Sequence, residues 1–185
     1  MARATVFTYR IEIYSGKLLL SGSYNITPYK RLSDAMNISL SSYMTLHDAI
    51  ISPLNHPEQV QPVSHVMINR HEIPLIAALR EPAPPADYTP PRLAGKLERV
   101  RMMFFTQEFV IQADLAKRPD RTVIEMLDGI EDLFVPITNA KIFPLLGGQP
   151  MARDFACLGR AHIQALYPLS ASDDLRPADD EASLW

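Results

Sequence analysis

The sequence predicts an α+β, β-rich protein built from two tandem ββαβββ repeats. The first observation is that the pattern of residues 43–54 (YMTLHDAIISPL) returns 91 positions later in residues 134–145 (FVPITNAKIFPL). Each stretch opens with an aromatic residue, continues with β-branched and apolar residues and closes with Pro-Leu, as expected of a strand that ends in a turn. The second observation is that the same offset holds upstream without a gap for about 46 residues.

The correspondence extends over most of the chain. The offset aligns Arg10 with Arg101, and dropping one loop residue downstream aligns Arg70 with Arg160. The matches are mostly of residue class rather than identity, which is typical of an old duplication. We therefore expect both repeats to contain the same elements in the same order.

The first two strands of each repeat are predicted to form a hairpin. Apolar and polar residues alternate from Val6 to Tyr14, a period of two that indicates a strand with one buried face. Ser15 and Gly16 then predict a turn, and residues 17–24 predict the second strand of the hairpin.

A short helix follows in each repeat. Thr122 and Glu125 have the spacing of a capping box in the second repeat, and Pro28 is predicted at the first helical position in the first repeat. The apolar residues of both helices have the spacing of one buried face: they are Leu32, Ala35, Met36 and Leu40, and Val123, Met126, Leu127 and Ile130.

Three more strands complete each repeat. A tight bend at Asn69-Arg70, or at Gly159-Arg160 in the second copy, leads to the last and shortest of them. Proline cannot donate a backbone hydrogen bond, so Pro74 predicts that the last strand of the first repeat lies at a sheet edge.

Four segments are predicted. Residues 1–79 form the first repeat module, residues 80–97 a Pro-rich extended linker, residues 98–169 the second module and residues 170–185 an acidic disordered tail. Units of about 70 residues are close to the minimum for an adequate core. We therefore expect the two modules to pack together as a pseudo-twofold pair.

The composition is that of an ordinary globular protein, with 47% hydrophobic residues and a net charge of -3. No apolar run approaches the roughly 20 residues that span a bilayer, and the first residues lack the features of a signal peptide. We expect a cytoplasmic protein of bacterial type with no membrane association. The single Cys157 is expected to be a small buried residue in a strand.

Five short strands with a bent last pair resemble an SH3-like small barrel, and three segments resemble the Sm-like (LSm) family. Residues 44–49 (MTLHDA) are similar to the family's hydrophobic run that ends in an acidic residue and alanine. Residues 68–76 (INRHEIPLI) and 158–166 (LGRAHIQAL) are similar to its hydrophobic-Arg-Gly motif. The resemblance implies small-barrel-like repeats and RNA binding. Two departures are the inserted helix and the absence of the base-binding Asp-x-x-x-Asn loop.

A second resemblance rests on residues 31–37 (RLSDAMN). This segment is similar to an Arg-Leu-Ser-Asp-x-x-Asn signature of small uncharacterised bacterial domains, and the resemblance implies no activity. The polar members of this signature and of its counterpart in the second repeat are Arg31, Asp34 and Asn37, and Glu125 and Asp128.

These polar residues have two interpretations. Polar groups three positions apart share one helix face, so the two copies together are able to present a paired acidic site. Acidic residues in a first helical turn also cap free N–H groups and offset the helix dipole, which is the commoner role.

The sequence predicts no catalytic activity, metal or cofactor. The histidines have no zinc-site spacing and no cysteine partners. There is no Gly-x-Ser-x-Gly elbow and no glycine-rich phosphate loop.

Basic residues supply the candidate binding site. Arg70 and Arg160, with the neighbouring Asn69, lie at the predicted bends, where Sm-like proteins present a pore-facing basic residue. A guanidinium there is able to fork onto a phosphate or carboxylate, or to bond the carbonyls of the turn. A second basic cluster precedes the second helix and consists of Lys117, Arg118 and Arg121. It has two interpretations, a solvated face or a phosphate-binding stripe.

The function predicted from these observations is non-catalytic binding or assembly through protein–protein contacts of the duplicated module, with self-association or a protein partner. Short open barrels expose unpaired strand edges, and pairing them between subunits satisfies the backbone groups. The alternatives are RNA binding through a basic rim and small-molecule sensing in a groove between the copies.

Overall fold

A computed structural model describes residues 5–38, 41–89 and 96–170. We call residues 5–89 the first half and residues 96–170 the second half. The predicted tail beyond residue 170 and Leu40 of the predicted helix face lie outside the described residues. The elements of the first half are β1 (Phe7–Ser15), β2 (Leu18–Ile26), α1 (Leu32–Ile38), β3 (Tyr43–Pro53), β4 (Gln61–Asn69) and β5 (Leu75–Arg80). Those of the second half are β6 (Glu98–Phe105), β7 (Phe109–Lys117), α2 (Val123–Asp128), β8 (Phe134–Pro144), β9 (Met151–Gly159) and β10 (Ala165–Pro168).

The protein is β-rich, as predicted, and the strands among its described residues form one antiparallel sheet of ten strands. Their order is β10-β6-β7-β8-β9-β5-β1-β2-β3-β4. A short 3-10 turn lies between β4 and β5 and between β9 and β10. The sequence of strand, strand, helix, strand, strand, strand therefore occurs once in each half.

Elements in the same place of the two halves begin 91 or 90 positions apart. β3 and β8 begin at residues 43 and 134, and β4 and β9 begin at residues 61 and 151. Backbone irregularities follow the same spacing. Asp48 and Asn139, 91 positions apart, adopt φ angles of 46° and 51°, in the left-handed region that Asp and Asn tolerate best. Each lies where the strand ladder shifts register.

The halves are joined by pairing of β5 with β9. Leu75, Ile76 and Ala77 lie opposite Leu158, Cys157 and Ala156. The prediction from Pro74 that this strand lies at an edge is therefore wrong, because β5 is bonded to β1 on one side and to β9 on the other. Pro74 precedes the strand, and its carbonyl oxygen accepts a hydrogen bond from the Gly159 N–H at 2.8 Å.

The predicted pseudo-twofold packing is also wrong. A two-fold axis between the halves would pair equivalent positions reciprocally. Instead β5 pairs with β9, whose counterpart in the first half is β4, at the far end of the sheet. The junction is heterologous, so one edge of each half is used and a different edge of each half stays open.

Two hydrophobic cores lie on opposite faces of the sheet at the junction, and each takes residues from both halves. The first core belongs mainly to the first half but includes Phe134 and Cys157. The second core belongs mainly to the second half but includes Tyr14, Leu75 and Ala77. Alternation along β5 explains this exchange, since successive side chains of a strand point to opposite faces.

The two helices differ in burial although they occupy the same place in each half. Leu32, Ala35 and Met36 of α1 are buried, as predicted, whereas α2 has no buried residue. The predicted capping box is confirmed at Thr122 and Glu125. The predicted helix start at Pro28 is wrong: the Thr27–Pro28 bond is cis and α1 begins at Leu32. No helix among the described residues is long and apolar enough to cross a membrane.

Candidate functional site

The two outermost strands, β4 and β10, are the first candidate surface. β4 is bonded to β3 and β10 to β6, and within the described ranges neither has a strand on its other side. A strand edge of this kind carries a row of backbone donors and acceptors that a further strand is able to pair with. Large apolar side chains accompany both edges: Met67 on β4 is 69% exposed and Tyr167 on β10 is 45% exposed.

Positions on or next to the open edge β4 have buried counterparts at the junction between the halves. Phe134, at the start of β8, is 1% exposed and packs under the guanidinium carbon of Arg70, 6.0 Å from the ring centroid. Tyr43, 91 positions earlier at the start of β3, is 58% exposed. Met67 likewise corresponds to Cys157, which is fully buried. Tyr43 therefore lies outside the core, although Phe134 belongs to it.

A groove between the halves is the second candidate surface, and we call it the inter-half groove. It encloses about 900 Å³ and lies between the start of α1 and the face of β6 and β7. Its apolar lining comes from both halves and includes Leu32, Leu97, Met126, Pro136 and Phe155. Concave sites of this size, with apolar walls and a few polar groups, are typical of binding pockets.

Charged residues of both signs line the inter-half groove. Its second-half wall carries Arg99, Lys117 and Arg118, and we call these three residues the cationic wall. Lys117 forms an ion pair with Glu98, and Arg118 lies 3.4 Å from Asp120. Arg31, Asp34, Glu81 and Asp114 complete the charged lining.

Two carboxylates of the groove differ in electrostatic environment. Burial raises the pKa of Glu81 above its usual range, and the nearby Arg31 opposes this shift. Partial burial also acts to raise the pKa of Asp114, but hydrogen bonds from Arg101 and Asn139 outweigh it and lower the pKa. Asp114 is thus held as a carboxylate, while Glu81 holds its proton to a higher pH.

The predicted binding residues at the two bends are engaged with backbone carbonyls. Arg70 is only 4% exposed, and its Nη1 donates to the Ser41 carbonyl oxygen at 3.0 Å. Arg160 is exposed, and its Nε donates to the Asp132 carbonyl oxygen at 3.2 Å. Both side chains therefore bond backbone carbonyls that precede β3 or β8, rather than the carbonyls of their own turn.

Asn69 has a local structural contact. Its side-chain oxygen accepts from the His71 N–H at 3.1 Å and caps the 3-10 turn. This contact is separate from the Ser41 carbonyl that holds the Arg70 side chain.

The second basic cluster is only partly brought together. Lys117 and Arg118 lie in the inter-half groove. Arg121 lies on the adjoining loop, where its carbonyl oxygen accepts from Lys117 Nζ at 2.8 Å. The cluster thus contributes two of its three predicted residues to a concave surface.

The predicted acidic pair does not share a cleft. Asp34 and Arg31 line the inter-half groove, and Asn37 is bonded to the backbone of Phe134. Glu125 accepts from the Thr122 N–H and hydroxyl, and these bonds lower its pKa. Asp128 is exposed at the end of α2. Glu125 therefore caps its helix, in agreement with the commoner of the two interpretations.

No group of three or more potential metal ligands occurs in the described part of the chain. Cys157 is buried in β9, as predicted, and burial raises the pKa of its thiol. A thiol in this environment is a packing residue rather than a nucleophile.

Two relevant residues, Glu81 and Met67, were not singled out from the sequence. Glu81 follows β5 immediately, and only its place in the lining of the groove gives it significance. Tyr43 and Met67 carry the same apolar signal as core residues, and nothing in the sequence distinguishes an outer edge from an inner one. Comparisons with protein-family models, with curated proteins and with solved structures found no match to this chain.

Proposed function

We propose that this chain is a non-catalytic binding and assembly protein that acts through contacts of a duplicated β-rich module. Its partner in this proposal is a second copy of the chain, with β10 of one copy pairing with β4 of the next. The observation that carries the proposal is the internal junction, where β5 and β9 pair while the strands in the corresponding places, β10 and β4, are left open.

The register of the proposed contact follows from the internal one. Leu75, Ile76 and Ala77 pair with Leu158, Cys157 and Ala156. The counterparts of these residues lie 90 positions later on β10 and 90 positions earlier on β4. The same register would therefore pair Ala165 with Ile68, Leu166 with Met67 and Tyr167 with Val66. All six residues are apolar, so the contact buries apolar surface as well as satisfying backbone groups.

The difference in burial between the helices supports the same contact. α1 is buried because it packs at the junction, where it contacts β8. α2 has the corresponding place in the half that ends at the open edge β10, and its apolar residues Val123 and Leu127 remain half-buried. A second copy docked on this edge would cover them, as β8 covers α1.

Two positions make the proposed contact weaker than the internal junction. Gly159 lies so close to Ile73 that a β-carbon added to it would be 2.3 Å from the Ile73 carbonyl oxygen. The counterpart of Gly159 on β4 is Asn69, whose β-carbon would meet the same obstacle in the proposed contact. Asn37 bonds the backbone of Phe134, and its counterpart on α2 is Asp128, which lacks the amide donor. The contact is therefore displaced from the internal geometry, and it is reversible.

Light scattering across a size-exclusion peak tests the proposal. The wild-type protein is expected to show a mass above the 20.8 kDa of one chain, increasing with concentration. Met67→Lys is expected to abolish the increase, since a charge on an exposed edge blocks strand pairing. Leu146→Lys is the matched control, because Leu146 is 65% exposed but lies in the β8–β9 turn.

Two variants are expected to strengthen assembly. Asn69→Gly removes the β-carbon that displaces the contact, and Asp128→Asn restores the amide that bonds the partner backbone in the internal junction. Each is expected to shift the association to lower protein concentration. If the wild type and both variants are strictly monomeric at millimolar concentration, the proposal is wrong.

RNA binding through Arg70 and Arg160 stays a prediction. Arg70 is buried and already donates to a backbone carbonyl, so the side chain would have to leave an internal hydrogen bond to reach a phosphate. The ratio of absorbance at 260 and 280 nm across the same chromatographic peak tests it. Retained nucleic acid that is released by salt would favour the alternative.

A further inference from the structure

The turn between β1 and β2 and the turn between β6 and β7 are held by equivalent hydrogen bonds. The Lys17 carbonyl oxygen accepts from the Leu54 N–H at 2.8 Å, and the Glu108 carbonyl oxygen accepts from the Leu145 N–H at 2.8 Å. Lys17 and Glu108 lie 91 positions apart in the chain, like other corresponding residues of the two halves. An ammonium in one turn thus has the place that a carboxylate has in the other.

A small cavity is lined by both turns, and we call it the turn cavity. It encloses about 200 Å³. Its lining includes Gly16, Lys17 and Leu54 from the first half, and Glu108, Pro144 and Gly147 from the second half. Pockets for drug-sized ligands enclose about 300–1,000 Å³, so the turn cavity is limited to a smaller molecule.

The turn cavity contains an unsatisfied hydrogen-bond acceptor and a cation. Oε2 of Glu108 is buried and has no hydrogen-bond partner among the described residues. Lys17 lines the same cavity, and within the described ranges it has no ion-pair partner. A buried carboxylate oxygen without a donor costs free energy. A ligand that places an N–H donor beside Glu108 recovers that free energy.

The other walls of the turn cavity are bare backbone and apolar side chains. Gly16 and Gly147 adopt positive φ angles of 56° and 93°, and a β-carbon added to either would meet no atom within 4 Å. Space beside these two residues is therefore open. Leu54 and Pro144 supply apolar surface, so the cavity suits a small molecule that has two opposite charges and a short apolar part.

We propose that the turn cavity binds a small amino acid as its zwitterion. The ammonium group of the amino acid donates to Glu108 Oε2, its carboxylate lies against Lys17, and its short side chain contacts Leu54 and Pro144. A ligand with only one of the two charges leaves either Glu108 or Lys17 without a partner. This inference does not depend on the assembly proposed above, because no residue that lines the cavity lies on β4 or β10.

NMR titration of the isotope-labelled full chain with glycine, L-alanine and L-valine tests the proposal. The amide signals of Gly16 and Gly147 report on the cavity, and the signal of Gly129, at the end of α2, is the internal control. At least one of the three amino acids should shift the first two signals to saturation at millimolar concentration and leave Gly129 unmoved. Ethylamine and propionate each carry one of the two charges of alanine, so each should bind several-fold more weakly than L-alanine.

Variants assign the two charges. Glu108→Gln keeps the shape of the side chain and should raise the dissociation constant about tenfold or more, because a hydrogen bond to a charged group is lost. Lys17→Gln should weaken binding in the same direction. The matched controls are Glu131→Gln and Lys141→Gln, which remove exposed charges outside the cavity and should leave the dissociation constant unchanged. Circular dichroism checks that each variant is folded.

Three results would overturn the proposal. The first is the absence of a saturable shift at Gly16 and Gly147 with all three amino acids, which would mean that Glu108 is satisfied by water or by Lys17. The second is binding of ethylamine or propionate as tight as that of L-alanine, which would contradict the need for both charges. The third is an equal dissociation constant in Glu108→Gln and Glu131→Gln, which would place the amino acid elsewhere.

Discussion

Asn37 on α1 makes a pair of hydrogen bonds with the backbone of Phe134, 97 residues later in the chain. Its Nδ2 donates to the Phe134 carbonyl oxygen at 2.9 Å, and its Oδ1 accepts from the Phe134 N–H at 2.9 Å. The Asn37 side chain thus bonds both backbone groups of Phe134 at the start of β8, as a neighbouring strand would. It ties the helix of the first half to the sheet of the second half.

Asn37→Asp should lower the free energy of unfolding by about 1–3 kcal/mol at neutral pH, because the donor is replaced by a second acceptor that faces the Phe134 carbonyl. The deficit should shrink in acid, where a protonated carboxyl donates again. Urea denaturation at neutral and acidic pH measures both effects. Asn55→Asp, at an exposed loop position, is the control, and an equal loss in both variants would contradict the assigned role.

The ion pair between Glu12 on β1 and Arg153 on β9 is a second tie across the junction. Arg153 Nε lies 2.9 Å from Glu12 Oε2, which also accepts from the Tyr14 hydroxyl at 2.8 Å. Both side chains are largely buried. Glu12→Gln or Arg153→Leu should each cost about 2 kcal/mol, since a charge-assisted bond is lost and its partner stays buried.

A double-mutant cycle with urea denaturation isolates the coupling between Glu12 and Arg153. The control cycle uses Arg118 and Asp120, whose side chains are 52% and 66% exposed and whose coupling should be about 0–1 kcal/mol. A coupling at the junction no larger than at this surface pair would show that the ion pair does not stabilise the contact of the halves.

Gly159→Ala should destabilise the protein by about 1–3 kcal/mol, because the added β-carbon would lie 2.3 Å from the Ile73 carbonyl oxygen. Cys157, two positions earlier, is fully buried, so its reaction with a thiol reagent under native conditions requires the junction to open. The variant should therefore react faster at this thiol. The control is Asn69→Ala on the open edge, which removes the hydrogen bond to the His71 N–H and should lower the free energy of unfolding by about 1 kcal/mol. It should not speed the reaction of Cys157. Equally fast labelling of Cys157 in both variants would argue against close packing at Gly159.

Glu81→Gln should stabilise the protein at neutral pH. Burial raises the pKa of Glu81 in the folded protein, so the folded state binds this proton more tightly than the unfolded chain does. Stability contributed by the proton is present at low pH and is lost as the pH rises through the folded-state pKa. The difference between variant and wild type should therefore appear towards neutral pH and disappear in acid.

Thermal unfolding over a pH series measures the effect of Glu81→Gln. Glu131→Gln is the control, because Glu131 is exposed and does not line the groove. A stability difference that is the same at all pH values would point to packing rather than to the charge of Glu81.

The sequence by itself determined the type and the approximate place of nearly every described element. Alternation of apolar residues located β1, the spacing of Thr122 and Glu125 located the start of α2, and the offset of 91 and then 90 positions matches the element bounds of both halves. These features are local, because the period of a strand or helix and the chemistry of a cap are set by residues close in the chain. Whether the halves descend from one duplicated module stays a prediction.

Only the tertiary structure decided which strand edges are covered and which stay open. A strand near the junction and a strand near an open edge have the same apolar period, so neither the burial of Phe134 nor the exposure of Tyr43 follows from the residues around them. The pairing of β5 with β9 joins backbone groups about 80 positions apart, and Asn37 acquires its role only when that pairing brings Phe134 beside α1. Contacts of this range depend on the arrangement of the whole sheet, and that arrangement separates the junction, the inter-half groove and the open edges.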